Sequence, residues 1–483
     1  MEIIDKNKGK RIVIDPISRV EGHGKVTLLL DENNRLQEAR LHIVEFRGFE
    51  KFIEGRPYEE VAVIVQRLCG ICPVSHHLAA AKAIDQLVGV NQLSPTAEKI
   101  RRLLHYGQVL QSHALHFFYL SSPDLLFGFE TDLHRRNIIE VIKDFPDIGR
   151  QGIQLRKFGQ DIIQAISGKK IHGVVAVPGG INRSLDIPQR DALRAQLPDI
   201  LKKSKKAVAI ARDLYLSNID IHKNFGFIES SFLSLVDSKG ALELYDGNIR
   251  IKDKAGKIFK DQLDDNRYFD YIQEEVRSWS YMKFPFLSEL GIEKGWYRVG
   301  PLARVNNCAF ISTPLAEQAR KEFIQFHHGL AQAPLAYHWA RMIELLHCAE
   351  QIENLLQDED ITGNELVVKG CPQEEGIGVI EAPRGTLFHH YKINEEGLIQ
   401  KANLIVSTTQ NNQAMNDSVR EVAREYIDGQ EITEGALNQI EVAIRAYDPC
   451  LSCATHAMGK MPLKVELFDH NGELLDTKIK SSV

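Results

Sequence analysis

The chain has 483 residues, 43% hydrophobic and 26% charged, a composition ordinary for a soluble globular protein and, by length alone, enough for roughly three domains. Its net charge of −6, from 59 basic and 65 acidic residues, excludes the electrostatic footprint of a nucleic-acid binder. No apolar run approaches the roughly 18 residues that cross a bilayer, and the first residues, Met1-Glu-Ile-Ile-Asp-Lys6, lack the apolar core of a secretory signal.

Taken in order, the chain begins with β-structure. Residues 25–30 and 36–46 flank the polar Asp31-Glu-Asn-Asn-Arg35 and read as a hairpin. Residues 58–66 read as a helix leading to a first cysteine pair, and 77–88 continue with alanine-rich helix chemistry. Ser94-Pro95 is an N-cap and first-turn pair opening a long helix through Leu120. Long amphipathic stretches follow at 189–216 and 315–356, with breaks at Pro198 and Pro334. The run Lys202-Lys-Ser-Lys-Lys206 is a solvated helix face. A second hairpin joins 385–391 to 398–407 through Asn394-Glu-Glu-Gly397. Helices at 420–427 and 435–447 lead to a second cysteine pair. A third hairpin, 464–468 with 473–478, turns at Asn471-Gly472. No repeat, low-complexity tract or linker interrupts this order, so one intertwined domain is expected. The fold class is α+β, predominantly helical, with a long-helix core and small antiparallel sheets.

Seven cysteines, an odd and modest number, argue against a disulfide framework and for a reducing compartment. Three of them, Cys308, Cys348 and Cys371, have no paired spacing and read as buried structural thiols. The other four form two C-x-x-C pairs at opposite ends: Cys69-Gly-Ile-Cys72, followed by His76, and Cys450-Leu-Ser-Cys453, followed by His456. One such pair is ambiguous. Two pairs brought together would surround a soft metal with four thiolates: nickel, zinc or an iron–sulfur cluster. A structural zinc site normally draws its ligands from a compact ribbon, and a thioredoxin-like dithiol expects a βαβ setting absent around Cys69. His105, His113 and His116 lack H-x-x-x-H spacing, and together with His77 read as packing and hydrogen-bonding residues.

With these pairs stand Arg19-Val-Glu21-Gly-His23, Arg47-Gly-Phe-Glu50 and Glu381-Ala-Pro383-Arg384-Gly385. Over essentially its whole length the chain resembles the large, catalytic subunit of nickel–iron hydrogenases. The resemblance implies that Cys69 and Cys450 are terminal ligands of nickel. Cys72 and Cys453 would bridge nickel to an iron carrying carbon monoxide and cyanide. It further implies that His76 hydrogen-bonds a bridging sulfur and that Glu21 relays protons with the Cys450 thiolate as first partner. Pro383 and Arg384 would line the iron's diatomic ligands, with Arg384 donating to cyanide and held by Asp124 and Asp448; Thr408 would donate to the other cyanide. Glu50 and His456 would bind a second cation, Mg2+ or Fe2+.

Mature members of that family end at the histidine three residues after the last cysteine, here His456, and 27 residues follow it (483 − 456). The resemblance therefore divides the chain into a hydrogenase large-subunit domain, 1–456, and an extension, 457–483, removed by a maturation protease after nickel-insertion chaperones have acted. Cys72-Pro-Val-Ser-His-His-Leu-Ala-Ala-Ala-Lys82 and Ala454-Thr-His-Ala-Met-Gly-Lys-Met-Pro462 resemble the cytoplasmic branch, above all its bidirectional NAD-linked enzymes; coupling to heterodisulfide reductase or NADP is the runner-up. The chain has no G-x-G-x-x-G fingerprint and no further cysteine motif, so iron–sulfur clusters, flavin and NAD(P) are expected only in partners, namely diaphorase-type subunits and an iron–sulfur small subunit. Two other readings compete. The quinone-site subunit of respiratory complex I shares the fold without the four cysteines, and a zinc-stabilised interaction protein would have no use for Arg384.

Overall fold

The computed structural model describes residues 11–33, 35–430, 433–455, 463–468 and 474–480. Long helices form the centre, and the two cysteine pairs lie at helix ends, one before Pro73–Leu87 and one after Glu434–Ala446. The alanine-rich segment forms the Pro73–Leu87 helix, nearly all of it buried. Ser94 caps the Pro95–Leu115 helix as its spacing predicts, its hydroxyl accepting from Ala97 N at 3.2 Å. Beyond Leu115 the helix does not simply run on. His116–Ser121 is a π-helical turn, a feature that often accompanies functional sites.

The two long amphipathic stretches are each broken. The first becomes Ile187–Arg194 and Leu197–Ser217, with Pro198 in the first turn of the second helix, where its missing N–H is not needed. The second becomes Pro314–Phe326 and Ala336–Gln357, interrupted around Pro334. The last helices are Asn412–Tyr426 and Glu434–Ala446.

Three of the sheets match expectation. Arg11–Ile14, Gly24–Leu30 and Leu36–Ile43 form an antiparallel meander, and Gly24–Leu30 alternates buried and half-buried residues along its length. Glu375–Ala382, Gly385–Ile393 and Ile399–Ile405 form another, and Leu463–Phe468 pairs with Leu474–Lys480 near the C-terminus. The Asn471-Gly472 turn between the last two strands lies outside the described residues. Three sheets escape the sequence reading: the strand pairs Ala176–Val177 with Gly180–Ile181 and Ile272–Glu275 with Phe284–Leu287, and a four-stranded sheet. In the last, Tyr297–Arg298, Ser231–Val236, Asn248–Lys252 and Ile258–Leu263 lie side by side, and the first two are parallel, so the sheets are not all antiparallel. A main core drawn from nearly every element, plus a smaller one under this sheet, agrees with one intertwined domain.

Two contacts set the position of the cysteines. Strand Glu375–Ala382 lies directly on helix Pro73–Leu87, because Gly376 and Gly378 let the backbone approach the Ala83 and Ala79 carbonyls, where a Cβ would collide. This fixes the Pro383-Arg384 hairpin tip against the turn that carries Cys69 and Cys72. At the other end, Ser18 and Arg19 latch onto helix Glu434–Ala446. The Ser18 amide and hydroxyl donate to Glu441 at 2.9 and 2.6 Å, and Arg445 donates to the Ser18 carbonyl at 3.0 Å.

Candidate metal centre

Cys69 follows the short helical turn Val65–Leu68, and Cys72 is the N-cap of helix Pro73–Leu87. The loop between them turns the amides of Ile71 and Cys72 onto the Cys69 sulfur, each at 3.2 Å. Cys450 and Cys453 lie just beyond the Glu434–Ala446 helix. The four ligand sulfurs lie within 4.8 Å of one another, all buried and none in a disulfide. The sulfurs of Cys69 and Cys450 are 3.3 Å apart, those of Cys72 and Cys453 3.9 Å. Burial pushes the Cys450 and Cys453 thiols well up, whereas contacts with the other thiols and the Arg384 charge overcome burial to hold Cys69 well down. Four such sulfurs beside a single guanidinium make a soft, electron-rich donor set that a soft or borderline cation completes.

Glu21 arrives on the N-terminal strap. Its Oε2 accepts from the Cys450 thiol at 3.0 Å and from Ser452 N at 3.1 Å, and its carbonyl accepts from Leu451 N at 2.9 Å. Gly22 makes this approach possible: φ is +82°, and a Cβ would lie 2.6 Å from Ser452 N. Glu21 thus touches the four-sulfur cluster directly.

Pro383 and Arg384 are the two loop residues of a hairpin closed by the Ala382–Gly385 pair. Arg384 Nε donates to the Asp448 carbonyl at 2.6 Å and Nη2 to Asp448 Oδ1 at 3.0 Å, while Nη1 is buried without a partner. Asp448 and the neighbouring thiols keep the guanidinium charged against the cost of burial. Asp448, at φ +54°, occupies the left-handed region that aspartate tolerates better than most residues. Thr408 Oγ1 accepts from Cys450 N at 2.9 Å, which leaves its proton to donate elsewhere. A cavity of about 10 Å³, room for one water-sized group, is walled by Cys72, Cys453, Arg384 and Thr408 among others. The donor set and the orphaned Arg384 Nη1 beside it fit a metal carrying small, acceptor-only ligands.

Asp124 departs from expectation. Its carboxylate is gripped by Arg19 at 2.6 and 2.9 Å and by Arg445 at 3.0 Å, with Asn438 at 3.2 Å, and it does not meet Arg384. It positions the strap that carries Glu21 instead; the Asp448 half of the expected clamp is present. His76 lines the cavity and pairs through Nδ1 with His389 Nε2 at 3.1 Å, and His389 reaches the Tyr391 hydroxyl at 2.5 Å. Glu50 accepts from Leu404 N at 2.8 Å and has Lys283 at 3.7 Å. Its expected companion His456 lies outside the described residues.

The remaining histidines are largely structural. His77 Nδ1 faces the Ala62 carbonyl at 2.9 Å, its Nε2 accepts from Val175 and Ala176, and burial drops its pKa to about 4. His105 and His113 are likewise held at about 4, first by burial. His116 pairs through Nε2 with the Ser121 hydroxyl at 3.1 Å, its Nδ1 lies 3.4 Å from Asp448 Oδ1 without a hydrogen bond, and burial holds its pKa well down. Cys308 and Cys348 are buried as expected, but Cys371 is exposed, so its reading as a buried thiol is corrected.

One residue with no sequence signal supports the site from beneath. Arg304, fully buried, donates to both Glu344 oxygens at 2.5 Å, to Glu381 at 2.6 Å, and to the carbonyls of Ala382 and Pro383 at 3.0 and 3.2 Å. It ties the hairpin tip to the helical core. Arg304 and the His113 hydrogen bond overcome burial to bring the Glu344 carboxyl to about 2.

The family described as Nickel-dependent hydrogenase matches residues 47–127 and 234–456, and a HoxL-like family matches 11–46. The chain belongs to the nickel-dependent hydrogenases, as the large, catalytic subunit of a nickel–iron enzyme that cleaves H2. It is 46% identical to the NAD-reducing hydrogenase HoxS subunit beta of Cupriavidus necator, over 98% of this chain and 100% of that protein. It is 42% identical to a subunit of the F420-non-reducing hydrogenase of Methanothermobacter marburgensis, over 96% and 99%. A crystal structure of a NAD+-reducing [NiFe]-hydrogenase in the H2-reduced state superposes with TM-score 0.92 at 56% identity, covering 93% of this chain and 100% of the other. The Ni-Fe-Se hydrogenase of Desulfovibrio vulgaris Hildenborough, at 23% identity and TM-score 0.76, shares the fold. These matches set aside the complex I and zinc-protein alternatives.

Proposed function

We propose that the chain is the hydrogen-activating subunit of a cytoplasmic, NAD-linked nickel–iron hydrogenase. The observation that carries this reading is the meeting of four buried thiols with the Glu21 carboxylate and an Arg384 guanidinium that has a free N–H. Cys69, Cys72, Cys450 and Cys453 would hold the nickel–iron centre, Cys69 and Cys450 as terminal ligands of nickel and Cys72 and Cys453 as ligands shared with iron. The iron would carry carbon monoxide and cyanide, and the bound centre would supply the Lewis-acid and redox chemistry that H2 cleavage requires. Arg384 and Thr408 would donate hydrogen bonds to the iron's cyanides, Asp448 orients Arg384, and His76 would hydrogen-bond a bridging sulfur. Infrared spectroscopy of the matured complex tests this: carbonyl and cyanide bands are expected, and their absence sinks the reading.

Glu21 takes up the released proton at Oε2, through the Cys450 sulfur 3.0 Å away. A positioned acid–base group contributes about 10²-fold or more. Glu21→Gln keeps the size but cannot take up that proton, so hydrogen–deuterium exchange should fall by that order while the infrared bands persist. Unchanged exchange would remove Glu21 from the proton path.

The NAD link rests on the NAD-reducing relatives. Without a dinucleotide fingerprint here, NAD(P), flavin and iron–sulfur clusters belong to diaphorase-type and iron–sulfur partner subunits. No helix among the described residues is long and apolar enough to cross a membrane, which is compatible with a cytoplasmic complex. Glu50 and His456 would together hold a second cation, Mg2+ or Fe2+, the carboxylate supplying the hard oxygen donor.

Residues 1–456 are the working domain and 457–483 an extension removed on maturation, after nickel-insertion chaperones have acted. The family match ending at residue 456 supports this division. A maturation protease is expected to cut after His456. Intact mass of active, partner-bound protein checks it, and a species still ending at Val483 means the extension is part of the working enzyme.

A further inference from the structure

Ser75 lies in the first turn of helix Pro73–Leu87, three residues after Cys72 and next to His76. It lines the cavity beside the sulfurs, together with Arg384 and Thr408. It is fully buried, yet its hydroxyl has no hydrogen-bond partner. A helical serine ordinarily satisfies its hydroxyl on the carbonyl four residues back. Here that is Ile71, whose carbonyl is already taken by the side-chain amides of Gln108 and Gln111, each at 2.8 Å. No protein sulfur is within reach of the hydroxyl either. Buried hydroxyls are seldom left unmet, so an orphan at the wall of a cavity calls for an occupant that accepts a hydrogen bond.

The chemistry of the wall narrows the occupant. Arg384 Nη1, the Thr408 proton and the Ser75 hydroxyl are donors, set among the apolar carbons of Ala382, Leu387 and Val406. A small anion that only accepts suits this wall, and a neutral, weakly accepting diatomic does not. We propose that Ser75 is a third donor to the iron's ligands, hydrogen-bonding a cyanide nitrogen. This rests on the nickel–iron reading above. Ser75 is a positioning residue: it steadies a ligand of the iron and does not touch hydrogen.

The test is infrared spectroscopy of the matured, partner-bound enzyme carrying Ser75→Ala, Ser75→Thr or Ser75→Val. Threonine and valine have the same shape and differ in the hydroxyl, so the pair isolates the hydrogen bond even if the alanine protein does not mature. One cyanide band is expected to move in the alanine and valine proteins, while the threonine protein keeps that band near its wild-type position. Nickel and iron contents should be the same throughout. Superimposable spectra for the threonine and valine proteins would overturn the proposal. A wild-type enzyme with no cyanide bands would instead overturn the reading beneath it.

Discussion

Cys450→Ser protein is expected to emerge from cells folded but with nickel reduced to traces. The substitution replaces a polarisable thiolate by an alcohol that stays protonated and binds soft metals poorly. Loss of a partner merely hydrogen-bonded to a metal ligand already costs about 10–100-fold in affinity; losing the ligand itself should cost more. The same holds for Cys69, Cys72 and Cys453, because all four buried sulfurs lie within 4.8 Å of one another. The hydroxyl is nearly the size of the thiol, so the surrounding helices should survive. Elemental analysis of the purified chain, alongside circular dichroism, separates metal loss from misfolding. Stoichiometric nickel in any of the four serine proteins would contradict this ligand set.

Arg384→Lys should behave in the opposite way, keeping its metals and losing turnover. The guanidinium uses Nε and Nη2 on Asp448 and leaves Nη1 without a protein partner at a cavity that Arg384 lines, a division of labour that needs a planar fork. An ammonium carries the charge but cannot hold Asp448 at two points and donate in a third direction with the same geometry. Removing one preorganised donor from a water-poor site costs about 10²–10³-fold in rate. Turnover of H2 with an artificial acceptor should fall by that order while nickel and iron remain. A loss within about twofold would mean that charge alone suffices. Loss of metal would mean that Arg384 serves assembly instead.

The sequence carried the metal set plainly, because two cysteine pairs with fixed flanks are local patterns. Glu21, Arg384 and Asp448 could be singled out only through the resemblance of the segments around them; the residues alone would have passed for capping or salt-bridge groups. Asp124 was legible, through the resemblance, as a carboxylate that holds an arginine but not in its partner: Arg19, Arg384 and Arg445 all lie far from it in sequence, and spacing does not say which one folds against it. Arg304 left no trace at all. It sits in a short helix, and its carboxylate partners are 40 and 77 residues away. The four-stranded sheet was missed because Ile258–Leu263 is largely exposed and carries Lys260 and Asp261, without the apolar alternation that marks a half-buried strand. The π-helical turn at His116 is likewise decided by what the helix packs against, and no propensity announces it.

The latch between the first strap and the last helix bears on when the site can exist. Cys69 and Cys450 are 381 residues apart, and Glu21 and Cys450 are 429 apart. At about 5–20 residues per second a ribosome needs roughly 20–80 s to travel from one cysteine pair to the other. Throughout that interval Cys69 and Cys72 are an incomplete set, and the strap bearing Glu21 has no helix to grip. The nascent chain therefore cannot close a nickel site, however much metal surrounds it. Only a chain translated nearly to its end can present all four sulfurs at once, so the topology itself makes full-length synthesis a condition for loading metal.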